Sequence, residues 1–206
     1  PSRGLGDVYK RQDSGQALDG MVTLSQTMVA ENLTVDGNLP AEVVSRIQLL
    51  LRIADKTSRR RLDLQVQKTR IDGFRALNSL TPVGTMVRAA AVNQKADRLS
   101  DLHSSYDFAA YLAGRSSLVL PPWMGGGTGK ASTHFKRAVA REGQMTSQAY
   151  VGLAESLAAA GDTSGAVDAY EHALHNIDAA DPRGAARKEK ISGALAQLTG
   201  AAHGRP

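Results

Sequence analysis

Residues 147–178 read SQAYVGLAESLAAAGDTSGAVDAYEHALHNID, and the order of residue types in this stretch decides the fold. Tyr150, Leu153, Ala154 and Leu157 recur at three- and four-residue steps, the spacing that places side chains on one face of a helix. After Gly161-Asp162 the same spacing returns with Ala166, Tyr170 and Ala173. Glycine permits the left-handed backbone that ends a helix, so two helices, 147–160 and 163–177, are predicted as antiparallel neighbours across a short turn. Ala154 and Ala166 are small enough to let the two helices cross closely. Tyr150 and Tyr170 are large enough to fill the space between this pair and its neighbours.

The pattern extends in both directions. Ala131, Phe135 and Ala138 repeat the small-large-small order of Ala166, Tyr170 and Ala173, 35 residues upstream. Phe135, Ala138 and Val139 are the expected inner residues of a helix over 131–141, and 106–119 forms the helix before it. Between them lies a loop, PPWMGGGTGK (121–130). Downstream, Asp181-Pro182 starts a last helix that Gly200 ends. Its inner stripe is Ile191, Ala194, Leu195 and Leu198, and Arg187, Lys188, Lys190 and Gln197 form a wet face. A terminal helix with one wet face is what closes a stack of helix pairs.

Segment 147–178 resembles the tetratricopeptide repeat, whose period is about 34 residues. Tyr150 stands where the family usually has tryptophan. The proline that usually closes the repeat is absent at Asp178 and comes late, at Pro182. The turn after Leu120 is similar to that of TatT-like proteins, which accompany substrate-binding transport systems in the bacterial periplasm. The resemblance implies an all-α fold, a right-handed α-solenoid of antiparallel helix pairs with about nine helices in all. It also implies a groove lined by the first helix of each pair. Its outward positions in the last repeat are Gln148, Val151, Glu155, Ala158 and Ala159; in the preceding pair, Asp107, Tyr111 and Arg115 share one face by their spacing of four. Such residues would hydrogen-bond to and stack on an extended or helical ligand.

Residues 13–104 read as helical with degenerate repeats, and 105–200 as the repeats with their capping helix. Leu18, Met21, Val22, Met28 and Val29 predict a helix over 16–31, broken by Asp36-Gly37-Asn38. Pro40 suits the first turn of the next helix, whose stripe is Val43, Val44, Ile47, Leu50, Leu51 and Ala54. A third helix is expected over 58–80, with Leu64, Ile71, Phe74 and Leu77 inward and Leu62 and Val66 near its start. Thr81-Pro82 reads as a cap followed by proline at the first helical position. The helix after it is expected to hold Val83, Met86, Val87, Ala90 and Ala91.

Residues 2–12, SRGLGDVYKRQ, match codon for codon the translation of a transposon-based sequencing-library adaptor. Residues 1–12 are therefore expected to be a non-native segment without structural consequence, with the native start lying elsewhere. Arg3, Lys10 and Arg11 against Asp7 give this segment a net charge of +2, leaving +3 of the chain's formal +5 for the remainder. That mild excess argues little for nucleic acid or membrane.

Composition agrees with a helical globular chain: 42% of residues are hydrophobic, 22% charged and only 4% aromatic, with abundant alanine. No apolar run reaches the length of a membrane span. There is no cysteine, which removes disulfides, thiolate metal sites and cysteine nucleophiles but does not choose between periplasm and cytoplasm.

Four features invite chemistry. GGGTGK (125–130) suggests a phosphate loop, but Met124 and Ala131 stand where that motif needs glycine and a hydroxyl, and a helix precedes it. The favoured reading is a flexible turn whose amides can at most hold an anion. His172 and His175 follow Glu171, three apart, with the glutamate outside the pair; this is not the zinc-protease order, and solvated histidines are expected. Arg59, Arg60 and Arg61, with Lys56, Lys68 and Arg70, form the densest basic stretch. Asp55, Asp63 and Asp72 dilute it and no aromatic is interleaved, so a solvated face is favoured over nucleic-acid contact. Trp123, the only tryptophan, is expected to fold back over the adjacent helix ends. A serine–histidine–aspartate grouping converges only in space and is not legible here.

The leading expectation is a non-catalytic scaffold that binds a protein or peptide partner and needs no cofactor or metal. Two alternatives stand beside it: an envelope accessory protein that binds a solute or lipid, and a weak nucleic-acid binder acting through 56–70.

Overall fold

A computed structural model describes residues 3–34, 37–57, 61–79, 81–141, 143, 145–179, 181 and 183–203; of 3–14, 57 and 201–203 it describes the backbone course only. The described residues form nine α-helices and one short 3-10 turn, with no strand. The fold is all-α, and helices adjacent in the chain pack on one another within 3–77 and within 107–203. The chain divides into two compact units, 1–88 and 89–206. The repeat-like segment expected from 105 onward makes up most of the second.

In the first unit, α1 (Arg3–Asn32), α2 (Ala41–Thr57) and α3 (Leu62–Leu77) share one core. α1 begins inside the segment expected to be non-native, so its course reaches well before residue 16. Leu18, Val22 and Val29 of α1, five of the six predicted stripe residues of α2, and Leu64 and Ile71 of α3 are buried together. Gly37 turns the chain with a positive φ of 79°. Thr34 Oγ1 accepts from the Asn38 amide at 3.0 Å across that turn. Asp36, Ser58, Arg59, Arg60 and Leu80, named in the sequence reading, lie outside the described residues.

α4 runs from Pro82 to Leu102. Thr81 caps it as expected, its Oγ1 accepting from the Gly84 amide at 3.1 Å. The helix holds Val83, Met86 and Val87 as expected, and all three are exposed; Leu77 of α3, expected to face inward, is corrected to exposed. The buried residues of α4 come a turn or more later, at Val92, Asn93, Ala96, Leu99 and Ser100. A stripe of valine and methionine marks a helix period but not which turns of a long helix are covered.

The second unit continues with α5 (Asp107–Val119), α6 (Thr128–Val139), α7 (Thr146–Ala159), α8 (Thr163–His175) and α9 (Gly184–His203). α7 and α8 are the pair read from 147–178. Gly161 turns between them at φ 86°, and Asp162 caps α8 by accepting from the Gly165 amide at 2.9 Å. Ala154 and Ala166 are both fully buried. Ser147 Oγ donates to the Ala173 carbonyl at 2.9 Å, fastening the start of α7 to the end of α8. Phe135 is fully buried, its ring against Gly114 of α5 and Gly152 of α7, where only a missing Cβ leaves room.

α9 closes the core of α5–α8 as the stripe predicts. Ile191 is buried, and Ala194, Leu195 and Leu198 pack against the same cluster. Two details are corrected. Gly200 does not end the helix, which runs on to His203. Arg187 does not belong to the wet face: its Nη1 lies 2.6 Å from Asp181 Oδ2, and both side chains are largely covered. Pro182 lies outside the described residues. Ala169, on the inner side of α8, is also buried. Among the described residues, no helix is long and apolar enough to cross a membrane.

Candidate functional site

Of the eight residues expected to line a groove, three come together and the others stand apart; Ala158 is half-buried and Ala159 exposed at the end of α7. Asp107 is occupied at the start of α5. Its Oδ1 accepts from the Phe108 amide at 2.8 Å and its Oδ2 from the Met145 amide at 3.2 Å, so it ties α5 to the segment leading into α7. Tyr111, Arg115 and Glu155 come together. Arg115 of α5 pairs through Nη1 with Glu155 Oε2 of α7, joining the first helices of successive pairs. The side chains remain 42% and 31% exposed. Tyr111 sits one turn before Arg115, its ring 6.2 Å from those of both Phe108 and Phe135. Gln148 is half-buried and Val151, also half-buried, packs against the core.

Tyr170 of α8 completes this cluster and was read from sequence only as a space-filler. Burial raises its phenol above the ordinary tyrosine value, Glu155 adds to the rise and Arg115 opposes it. Burial works against the Arg115 charge, but Tyr111 and Glu155 outweigh it, and the guanidinium is held more firmly protonated than usual. The site therefore presents one cation, one anion and an aromatic ring, partly shielded from water.

The glycine loop is committed to its own backbone. The amides of Met124 and Gly126 donate to the Pro121 carbonyl, that of Gly125 to Pro122, and that of Gly127 to Ser117 at 2.8 Å. Four amides that might hold an anion are thus already engaged. Lys130 donates to Asp97 Oδ2 of α4 and, at 2.7 Å, to the Gly125 carbonyl. The loop is a braced turn and not the flexible one expected. Trp123 does not fold back: it is the middle residue of the 3-10 turn Pro122–Met124 and is 79% exposed.

The structure does assemble one serine–histidine–aspartate grouping. His134 Nδ1 lies 3.3 Å from Ser100 Oγ, and its Nε2 lies 3.1 Å from Asp97 Oδ1, off the line of a well-aligned hydrogen bond. Ser100 is only 1% exposed, so its hydroxyl cannot meet a substrate in this conformation. The grouping holds α4 to α6.

The described part of the basic stretch is largely spoken for. Arg61 pairs with both Asp19 and Asp63, and Lys68 pairs with Asp55 at 2.9 Å. Arg70 lies 6.0 Å from the Phe74 ring centre. His172 is exposed and stacks on Tyr150, with ring centres 5.0 Å apart. Among the described residues no three histidine, aspartate or glutamate side chains are grouped to hold a metal ion. Comparison with family models, curated proteins and solved structures finds no match to this chain.

Proposed function

We propose that the chain is a non-catalytic helical-repeat scaffold of the tetratricopeptide type, which presents the face shared by α5 and α7 to a peptide or protein partner. The observation that carries this reading is the Arg115–Glu155 pair. It spans the first helices of two successive pairs, stays partly exposed, and stands beside Tyr111 and Tyr170. A half-exposed ion pair contributes only about 0–1 kcal/mol to a fold, so its two charges can be turned to a ligand with small loss. Tyrosine and arginine are also the residues that most often dominate binding surfaces.

The test is selection of peptides from a random library on the whole chain, followed by affinity measurement on variants. Tyr111→Ala and Val151→Asp should each weaken the selected peptides at least about tenfold, which corresponds to about 1.4 kcal/mol. Lys190→Ala, on the exposed face of α9, should not. Selected peptides that bind all three variants equally would refute the reading, as would a library that yields no binder.

A further inference from the structure

Asp97 of α4 faces two bases of α6 at once. One carboxylate oxygen accepts from Lys130 Nζ; the other lies 3.1 Å from His134 Nε2. Lys130 carries a second bond, to the carbonyl of Gly125 at 2.7 Å, and the Asn93 side-chain amide donates to that same carbonyl at 2.8 Å. Asn93 in turn accepts from Ser116 and Ser117 of α5. Through Asp97 and Asn93, α4 therefore grips the loop between α5 and α6 at one atom, the Gly125 oxygen.

We infer that Asp97 is a proton-operated latch: it secures Lys130 and the Gly125 loop to α4 while His134 is neutral, and releases Lys130 when His134 takes a proton. The groups facing His134 are Asp97, Ser100 and Asp101 from α4 and Lys130 and Arg137 from α6; Arg137 is itself paired with Asp101 at 2.8 Å. Arg137 is taken by Asp101, so a protonated His134 sets two cations against the single carboxylate of Asp97, and the latch lets one of them go. The His134 side chain is 6% exposed and cannot reach water, whereas that of Lys130 is 37% exposed and can. A flexible, strongly hydrated ammonium is the cation that moves at least cost. Burial holds the His134 ring below its ordinary value against the pull of Asp97, with Arg137 and Lys130 acting in the same sense as burial. The release accordingly belongs below the ordinary histidine value.

The experiment is an NMR titration of the whole chain from about pH 8 downward until the His134 imidazole has completed its step, through the ordinary histidine range and below it. It follows the His134 imidazole and the Gly126 amide, which adjoins the Gly125 carbonyl. In the native chain both should move in one step with a shared midpoint. In Lys130→Met, His134 should still titrate and the Gly126 amide should stay flat. In His134→Gln the Gly126 step should vanish. In Arg137→Gln, with one opposing cation gone, the shared midpoint should move up. A Gly126 amide that is flat in the native chain, or that still steps in Lys130→Met or His134→Gln, overturns the latch. Should His134→Gln lose its helical circular-dichroism signal, Lys130→Met and Arg137→Gln decide: a persisting step in the first, or a midpoint unmoved or lowered in the second, overturns it.

Discussion

The ring of Phe135 lies so close to the backbone of Gly152 that a Cβ there would come within 2.3 Å of the ring's Cζ atom. Alanine in a helix is ordinarily worth about 1 kcal/mol over glycine. At this position the sign reverses, because the ring is fully buried and has no free side to move toward. Gly152→Ala should destabilise the chain by about 1–3 kcal/mol, the usual cost of overpacking. Gly193→Ala on α9, where nothing lies within 4 Å of the new carbon, should be neutral or stabilising. Urea melts of the two variants check the contrast.

Ala166 is fully buried in α8, and leucine in its place should cost about 1–3 kcal/mol. Ala169 of the same helix is only 4% exposed. Ala169→Leu should therefore also destabilise. The exposed comparison on the same helix is Glu171→Leu, for which little change is expected. A urea melt in which Ala166→Leu matches the native chain would remove the basis for the close crossing of α7 and α8.

Ile191 is the one residue of the α9 stripe that is buried almost completely. Ile191→Ala should cost about 2–5 kcal/mol, because it removes three carbons from a packed site and leaves a cavity. The effect should concentrate in α9: amide exchange there should accelerate more than in α7, which is held from both sides. Uniform acceleration across both helices would show that α9 does not open separately.

Tyr170 predicts an alkaline loss of stability. Burial and Glu155 raise its phenol above the usual value near 10, so the folded chain holds the proton more tightly than the unfolded chain does. Above about pH 10 the unfolded state ionises first, and stability falls as pH rises further. Tyr170→Phe should flatten that part of the stability profile. A melt series from about pH 8 to about pH 11 measures it; equal slopes in the two proteins would contradict the cause named here.

Helix positions were legible because the apolar period of 3.6 repeats along the chain with glycine and proline at its breaks. α7 and α8 fall within two residues of the expected bounds at each end. What misled was the burial of particular turns. Val83, Met86 and Val87 have the right spacing for a core face, yet they occupy a stretch of α4 that its neighbours leave uncovered. Ala169 is the converse case: a small residue carries no sign of which face it takes, and it is buried. Of the candidate site, Tyr111 and Arg115 were placed on one face by helical spacing, and Glu155 by the groove positions that the tetratricopeptide resemblance implies. The Asp97–His134–Lys130 cluster was out of reach: Asp97 is 33 positions from Lys130 and 37 from His134, and meets them only because α4 and α6 lie side by side.

The loop of 121–127 looks, by composition, like a hinge: two prolines, a tryptophan, a methionine and three glycines in a row. Its four engaged amides make it a strut. Its protons should exchange with solvent at the slow rate of a helix interior and not at the fast rate of an open turn. Any displacement of α5 must then be handed on to α6 without slack, so a ligand that tilts one moves the other.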